Sequence, residues 1–161
     1  MNKIIGKKLN NEESFLYWCE KNEIPVFAPA ITDGQIGHLI YKRYLEKKTS
    51  PKIEVVQDIR ELNGSVMFLK KSGMIIIGGG VIKHHIFNAN LMRNGAEFAV
   101  LINTGLEYDA SDSGAKPTEA LTWGKIRLDA EYSKVFSEAS LVFPILVSES
   151  FYKYWKNKKD N

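Results

Sequence analysis

Short runs of apolar, mostly β-branched residues alternate along this chain with longer stretches in which apolar residues recur at helical spacing. Four of the short runs predict buried strands: Pro25-Val26-Phe27, Met74–Ile77, Phe98–Ile102 and Lys134–Phe136. The longer stretches predict helices, the first opening at Asn11–Ser14 with Asn11 as a possible cap, the others over about 34–47, 55–71, 81–93, 118–126 and 141–155. Alternating strands and helices are typical of βαβ units, so the pattern predicts an α/β fold around a parallel sheet.

The loops that follow the predicted strands are the places to look for chemistry, because open parallel sheets bind ligands beyond the carboxyl ends of their strands. Four such loops have unusual composition: Thr32–Gly34, Gly78–Gly80, Asn103–Gly105 and Glu107–Pro117. In the second of them, three glycines would let backbone N–H groups approach an anion such as a cofactor phosphate. The same three glycines also suit a tight structural turn, and spacing alone leaves both interpretations open.

Composition places the chain among ordinary globular proteins and narrows its partners. Its 161 residues suffice for a single domain over 1–161, with 44% apolar and 25% charged residues and a net charge of +3. The basic tail at 153–161 is typical of a solvated helix end and not of a nucleic-acid site. No apolar run reaches the roughly 20 residues needed to span a bilayer. The single cysteine, Cys19, excludes an internal disulfide framework and favours a cytoplasmic protein.

Two groups of polar residues are candidates for ligand binding. His84 and His85 fall one turn into the helix after the glycine loop; adjacent histidines do not form a zinc pair, so they are structural or one of them contacts a ligand. Asp109, Asp112 and Glu119 place three carboxylates within eleven residues, which indicates either a solvated acidic loop or a site for a cationic ligand or for ribose hydroxyls. Their spacing does not match a calcium-binding EF-hand loop.

Trp123 and Lys125, separated by one glycine, form the third candidate. An indole face attracts an ammonium group by about 0.5–2 kcal/mol, and a lysine whose pKa is lowered by burial or by a neighbouring cation becomes a nucleophile. A bound polyamine would provide both the cation for Trp123 and the carbon that Lys125 attacks. The alternative is a core tryptophan beside a surface lysine.

Longer motifs in the same regions resemble those of one family. They are Pro25–Gly34, Gly78–Gly95, Ile102-Asn103-Thr104, Ser111–Lys116, Trp123–Ile126 and Ser140–Pro144. Together they resemble deoxyhypusine synthase, in family order, from about Ile5 to Tyr152. The resemblance implies a three-layer αβα Rossmann-like parallel sheet, and it implies that this chain corresponds to the C-terminal half of the family fold.

The resemblance also implies a reaction and roles for individual residues. The family uses NAD, and no metal, to oxidise spermidine; the 4-aminobutyl group passes through an imine on an enzyme lysine to a lysine of the precursor of translation factor 5A, and 1,3-diaminopropane is released. Lys125 matches the covalent lysine. The polyamine contacts fall on His84, Asp112, Glu119 and Trp123, and the cofactor contacts fall on Asp33, Gly79, Asn103, Thr104, Asp109 and Ser113.

Three substitutions and the length depart from the family pattern. His38 stands at a polyamine contact where an acid is usual, Leu101 where a tyrosine is common, and Glu138 at a cofactor contact where an aspartate is usual. Family members are roughly twice as long. We therefore expect a fragment, a truncated gene model or one half of a split enzyme, and no activity from the chain alone.

The resemblance implies a homotetramer, or assembly with a complementing N-terminal half, and it implies no nucleic-acid or membrane partner. Two other functions stay open at this point. One is homospermidine synthase, a relative that hands the same aminobutyl group to putrescine. The other is a non-catalytic subunit that pairs with an active partner.

Overall fold

The structure is a computed structural model that describes residues 1–160 of the chain. This part of the chain divides into two compact units, the first comprising Met1–Leu62 and the second beginning at Asn63. The single domain that the sequence predicts over residues 1–161 stays a prediction.

The first unit is helical. Its helices are α1 (Asn2–Leu9), α2 (Phe15–Lys21), α3 (Gln35–Leu45) and α4 (Val55–Met67), the last of which continues past the end of the unit. The strand predicted at Pro25–Phe27 is wrong: this segment has no regular secondary structure and pairs with no strand of residues 1–160. The carbonyl of Val26 accepts a hydrogen bond from the Asn2 side chain at 2.8 Å, so a side chain replaces the ladder partner that a strand requires.

The second unit contains a three-stranded sheet, β1 (Gly73–Ile77), β2 (Ala96–Asn103) and β3 (Ile126–Phe136), in the order β1-β2-β3. Both strand pairs are parallel, with Ile76 beside Leu101 and Leu101 beside Lys134. Between β1 and β2 lies α5 (Val81–Leu91), and between β2 and β3 lies α6 (Pro117–Thr122). The predicted parallel sheet and α/β class are confirmed, and the flanking helices are consistent with a three-layer Rossmann-like fold.

Packing of α5 and α6 on one face of the sheet forms the core. That core is made of Met74, Ile76, Phe87, Ala96, Ala99, Leu101, Ala120 and Ile126, all less than a tenth exposed. The alternate residues of the strands, which point to the opposite face, include Ile75, Ile77 and Phe98, and each of these keeps more than a third of its surface exposed. The buried face therefore fixes the register of the strands, and through it the position of the loops at their carboxyl ends.

The C-terminal residues continue as one helical stretch. It consists of α7 (Ala139–Val147), a π-helical turn (Ser148–Tyr152) and α8 (Lys153–Asp160). This confirms the helix predicted over 141–155. None of the helices in residues 1–160 is long and apolar enough to cross a membrane.

Three predicted helix boundaries are wrong, one of them the end of the helix predicted over 55–71, since α4 ends at Met67. Asn11 does not cap α2: its Oδ1 accepts from the N–H of Glu13 at 2.9 Å in a local turn, and Ser14 occupies the cap position instead. The helix predicted over 118–126 ends at Thr122, because the chain turns at Gly124 and enters β3 at Ile126.

Candidate functional site

A cavity of about 250 Å³ lies in the second unit, with walls supplied by α5, by α6 and by the loop that precedes α6. Five of the residues singled out from the sequence line it: His84, Asp112, Glu119, Trp123 and Lys125. All four polyamine contacts from this unit and the covalent lysine therefore surround one space. The side chains of Phe87 and Leu101 give the cavity an apolar wall.

The carboxylate of Asp112 lies close to two basic side chains of the cavity wall. Its Oδ1 lies 3.2 Å from Nε2 of His84 and 3.6 Å from Nζ of Lys83. Its Oδ2 is buried and accepts no hydrogen bond from residues 1–160. A buried carboxylate oxygen without a donor is costly, so this atom favours a ligand that brings a positively charged N–H group.

Trp123 and Lys125 approach the cavity from the junction between α6 and β3. Trp123 continues the last helical turn, its N–H donating to the carbonyl of Glu119 at 3.3 Å. Gly124 then takes a φ of 69°, in the left-handed region that glycine adopts without strain, and the N–H of Lys125 donates back to Ala120 at 2.9 Å. This helix-ending turn explains the glycine between the two residues.

The ammonium of Lys125 lies 5.9 Å from the centroid of the Trp123 ring, within the range of a cation–π contact. The alternative of a core tryptophan beside a surface lysine is wrong on both counts. Trp123 is 64% exposed, and Lys125 is half-buried. The indole face is thus available to a ligand at the rim of the cavity, and the lysine is the more sheltered of the two.

Residues assigned to the cofactor gather at the carboxyl ends of β1 and β2. A Cβ on Gly79 would lie 2.0 Å from Oγ of Ser113, so the glycine loop and the loop before α6 touch only because residue 79 has no side chain. Asn103, at the end of β2, is buried; its Oδ1 accepts from the N–H of Gly105 at 3.1 Å. Its Nδ2 is buried without an acceptor in residues 1–160, whereas the neighbouring Thr104 is exposed.

Two residues of this unit that the sequence assigns to the cofactor, Asp109 and Glu138, have carboxylates that accept hydrogen bonds within local turns. Oδ2 of the exposed Asp109 accepts from the N–H of Leu106 at 3.0 Å. Glu138 caps α7, its Oε2 accepting from the N–H of Ser140 at 2.8 Å, and hydrogen bonds from Ser140 lower the pKa of this carboxyl group. Both side chains are anionic and surface-accessible, and their roles toward a ligand stay predictions.

Asp33 and His38 lie in the first unit, and both are exposed. Asp33 ends a short 3₁₀ helix (Ile31–Asp33), and His38 lies in the first turn of α3. Nδ1 of His38 is 3.2 Å from the carbonyl of Gly34. Their binding roles stay predictions.

The sequence reasoning missed two charged residues of the cavity wall, Lys83 and the exposed Lys116. Lys83 is buried in α5, with a side chain only 5% exposed, and its ammonium lies 5.8 Å from the centroid of the Phe87 ring. The spacing of Lys83 and Phe87, four residues apart on a helix, is the signal that could have placed the lysine on the cavity side. No group of three or more side chains able to hold a metal ion occurs in residues 1–160.

Comparison with known proteins identifies relatives over nearly the whole chain. A family model described as deoxyhypusine synthase matches residues 1–150. A relative from Dictyostelium discoideum, named "Probable deoxyhypusine synthase", is 56% identical over 156 residues, which make up 96% of this chain and 41% of the relative. The deoxyhypusine synthases of Debaryomyces hansenii and Arabidopsis thaliana are 53% and 55% identical over 150 residues, or 91% of this chain and 39% and 40% of theirs. The chain spans about two fifths of the length of these curated relatives.

Proposed function

This chain belongs to the deoxyhypusine synthase family, and we propose on that basis that it carries the spermidine-binding and covalent-catalysis residues of such an enzyme. The proposed reaction is the NAD-dependent transfer of the 4-aminobutyl group of spermidine to a lysine of the translation factor 5A precursor. The observation that carries the proposal is the cavity in which Lys125 and Trp123 face the carboxylates of Asp112 and Glu119.

The chemistry of the cavity suits a linear polyamine. Asp112 and Glu119 offer negative charge to ammonium groups, and the exposed face of Trp123 offers a further cation site. Leu101 and Phe87 offer an apolar wall against which a methylene chain packs. A substrate that lacks N–H and O–H groups would leave the buried Oδ2 of Asp112 without a donor.

In the proposed mechanism, Lys125 is the nucleophile and His84 moves protons. Bound NAD would supply the hydride acceptor for oxidation of the butyl carbon of spermidine and the hydride for the final reduction. Lys125 attacks the oxidised carbon through Nζ; the new C–N bond replaces the bond to 1,3-diaminopropane, which leaves with the proton it needs. His84, whose Nε2 lies 3.2 Å from Oδ1 of Asp112, would take or give that proton.

The residues at the carboxyl ends of β1 and β2 fit a dinucleotide. Gly79 packs against Ser113, whereas a Cβ on Gly78 or Gly80 would meet nothing within 4 Å, so the turn before α5 is open to close approach at its two outer glycines, and the helix N-terminus favours a phosphate. The buried Nδ2 of Asn103 is a donor that needs an acceptor, as a ribose or phosphate oxygen would provide. Gly79, Asn103 and Ser113 would therefore hold the cofactor, with Thr104, Asp109, Glu138 and Asp33 as further contacts.

Assembly is part of the proposal. Apolar side chains of α7 and of the helical turns after it are more than half exposed, among them Leu141, Ile145 and Trp155. Such a surface favours association, as a tetramer or with a complementing N-terminal half.

Because the chain spans two fifths of its relatives, we propose that it binds NAD weakly and does not turn over alone. Cys19 favours the cytoplasm as its compartment.

Trapping with borohydride tests the role of Lys125. The protein is a chimera in which the 156 matched residues of this chain replace their counterpart in the Dictyostelium relative. With spermidine and NAD present, borohydride is expected to fix the aminobutyl group on Lys125 and to label nothing in Lys125→Ala. Lys116→Ala, which removes an exposed lysine from the same cavity wall, is the matched control and should be labelled normally. Label that persists in Lys125→Ala contradicts the mechanism.

Offering putrescine and the protein acceptor in parallel separates this activity from homospermidine synthesis.

A further inference from the structure

The residues Asp112–Gly114 form a single 3₁₀ turn, called here the Asp112 turn, which has few hydrogen bonds of its own. The N–H of Gly114 donates to the carbonyl of Ser111 at 3.0 Å, and the N–H of Ala115 donates to the carbonyl of Asp112 at 3.3 Å. One such turn is marginal in isolation, because short 3₁₀ segments have poor hydrogen-bond geometry. Its position must therefore be fixed by contacts from the rest of the fold.

Two lysine side chains from different elements supply those contacts. Lys83, on α5, donates from Nζ to the main-chain carbonyl of Asp112 and also lies 3.6 Å from its carboxylate. Lys134, on β3, donates from Nζ to the carbonyl of Gly114 at 2.6 Å, with the carbonyls of Gly105 and Ala115 at 3.3 and 3.4 Å. The main chain of the turn is thus held at both of its ends by ammonium groups.

The burial of these lysines indicates a specific task. An ammonium group placed in the interior is unfavourable unless its N–H groups find acceptors. Lys83 has a side chain only 5% exposed, and Lys134 is half-buried beside Leu101 in the sheet register. An ammonium has three donors, and three main-chain carbonyls surround that of Lys134.

The Asp112 turn contacts both the cavity and the glycine loop after β1. The Asp112 side chain lines the cavity and meets His84, while Ser113 lies against Gly79 in the loop after β1. A shift of the turn would move the carboxylate and the glycine loop together. Since displacements of about 1 Å in a site can cost orders of magnitude in rate, the holding groups matter as much as the residues they hold.

We propose that Lys83 and Lys134 are positioning residues that hold the Asp112 turn by its main-chain carbonyls and so set Asp112 in the cavity and Ser113 against Gly79. Neither acts on a reacting atom in this proposal. The holding role stands on the ligand-free geometry, and only its consequence for spermidine binding rests on the proposed function. Methionine matches the length of a lysine stem without its charge, so Lys83→Met and Lys134→Met remove the donors and keep most of the packing.

Amide hydrogen exchange in the full 161-residue chain, without ligands, tests the holding role. A peptide covering residues 111–116 is expected to exchange at least about tenfold faster in each variant, while a peptide covering β2 keeps its wild-type rate. Lys71→Met, which removes an exposed lysine just before β1, is the control and should leave both peptides unchanged. Wild-type exchange of residues 111–116 in both variants overturns the proposal, and so does equal acceleration of β2, which would mean general destabilisation.

A conservative variant and a ligand measurement complete the test. Lys134→Arg keeps a cation with several N–H donors and is expected to restore more than half of the lost protection; exchange as fast as in Lys134→Met would overturn the role of the charged donor. Spermidine titrated calorimetrically into the full chain should bind at least about fivefold more weakly in Lys83→Met, because Asp112 is no longer held. Unchanged affinity there overturns the positioning of Asp112. If neither the wild-type chain nor the chimera binds spermidine, the proposed function fails, whereas the exchange result still decides the holding role.

Discussion

Nε2 of His84 lies 3.2 Å from Oδ1 of Asp112, although α5 and the Asp112 turn are separated in the chain by the whole of β2. The contact exists because β1 and β2 are parallel neighbours, so that the loops after them leave the same edge of the sheet. Oδ2 of Asp112 has no donor in residues 1–160 and belongs to a cavity that Lys125 also lines. The contact with His84 therefore engages one carboxylate oxygen and leaves the other unpaired within this part of the chain.

Asp112→Asn is expected to raise the KM for spermidine in the chimera about 10- to 100-fold. The amide is nearly the same size, but it loses the charge that a polyamine ammonium would meet, and charge-assisted hydrogen bonds contribute about 1.5–3 kcal/mol. Asp129→Asn, which neutralises an exposed aspartate on β3, is the matched control and should leave the KM unchanged. An equal effect of both variants would show a general electrostatic influence and no specific contact of Asp112.

Gly79→Ala should destabilise the second unit by about 1–3 kcal/mol, because the new Cβ would lie 2.0 Å from Oγ and 2.5 Å from Cβ of Ser113. Urea unfolding at neutral pH measures the loss. Gly64→Ala is the matched control: a Cβ there meets nothing within 4 Å, and in the middle of α4 alanine is expected to stabilise by about 0.5–1 kcal/mol.

Ser113→Gly identifies the cause of that loss. Combined with Gly79→Ala, it removes the two nearest clashing atoms, so the double variant should recover part of the lost stability. Strictly additive losses in the double variant would mean that contact with Ser113 is not the reason why position 79 requires a glycine.

The sequence predicts β1 and β2 well and β3 poorly. β2 is paired on both sides and its helix-facing residues are in the core, so Phe98–Ile102 reads as a continuous apolar run. β3 lies at an edge of the sheet and is mostly exposed. Its first residues alternate between apolar and charged side chains, so the sequence predicts only Lys134–Phe136 out of Ile126–Phe136. A strand whose exposed face carries charged side chains therefore lacks the continuous apolar run by which β1 and β2 are predicted.

The candidate site divides in a similar way. Motifs identified five of the side chains that line the cavity, because ligand chemistry selects particular residue types at particular places. Lys83 and Lys134 could not be found in this way, since their main acceptors are main-chain carbonyls, which every residue possesses. Only the three-dimensional course of the chain brings those carbonyls to the two lysines.

His38→Asp is expected to lower the KM for spermidine in the chimera about 3- to 10-fold. An aspartate in this exposed first turn of α3 would add a negative charge where the family places an acid, and the helix N-terminus also favours an anion. Leu39→Asp, at the adjacent exposed position, is the control for added charge and should have a smaller effect. An unchanged KM in His38→Asp would show that residue 38 does not face the polyamine.

The stability of the second unit should depend on pH through Glu97. Its carboxylate receives two hydrogen bonds from the Arg93 guanidinium, at 2.7 and 3.0 Å, and one from the N–H of Ser72 at 2.8 Å. The hydrogen bonds from Arg93 are the largest cause that lowers the pKa of Glu97 from 4.5 to about 2, followed by the one from Ser72. A carboxyl group with a lowered pKa in the folded state stabilises above its unfolded pKa, and this contribution is lost as the pH falls from about 5 toward 2.

Glu97→Gln measures that contribution, because the amide cannot ionise. At pH 6 the variant should be less stable than the wild type by about 1–3 kcal/mol in urea unfolding, the lower values applying where solvent screens this partly exposed pair. The difference should shrink steadily between pH 5 and pH 3 as the wild-type carboxylate approaches protonation. Glu131→Gln, which neutralises an exposed glutamate on β3, should show no such convergence with the wild type. The stability difference between Glu97→Gln and the wild type could instead stay constant from pH 6 to pH 3. That outcome would mean that Arg93 and Ser72 hold the glutamate as a neutral group, and that ionisation of Glu97 does not stabilise this end of the sheet.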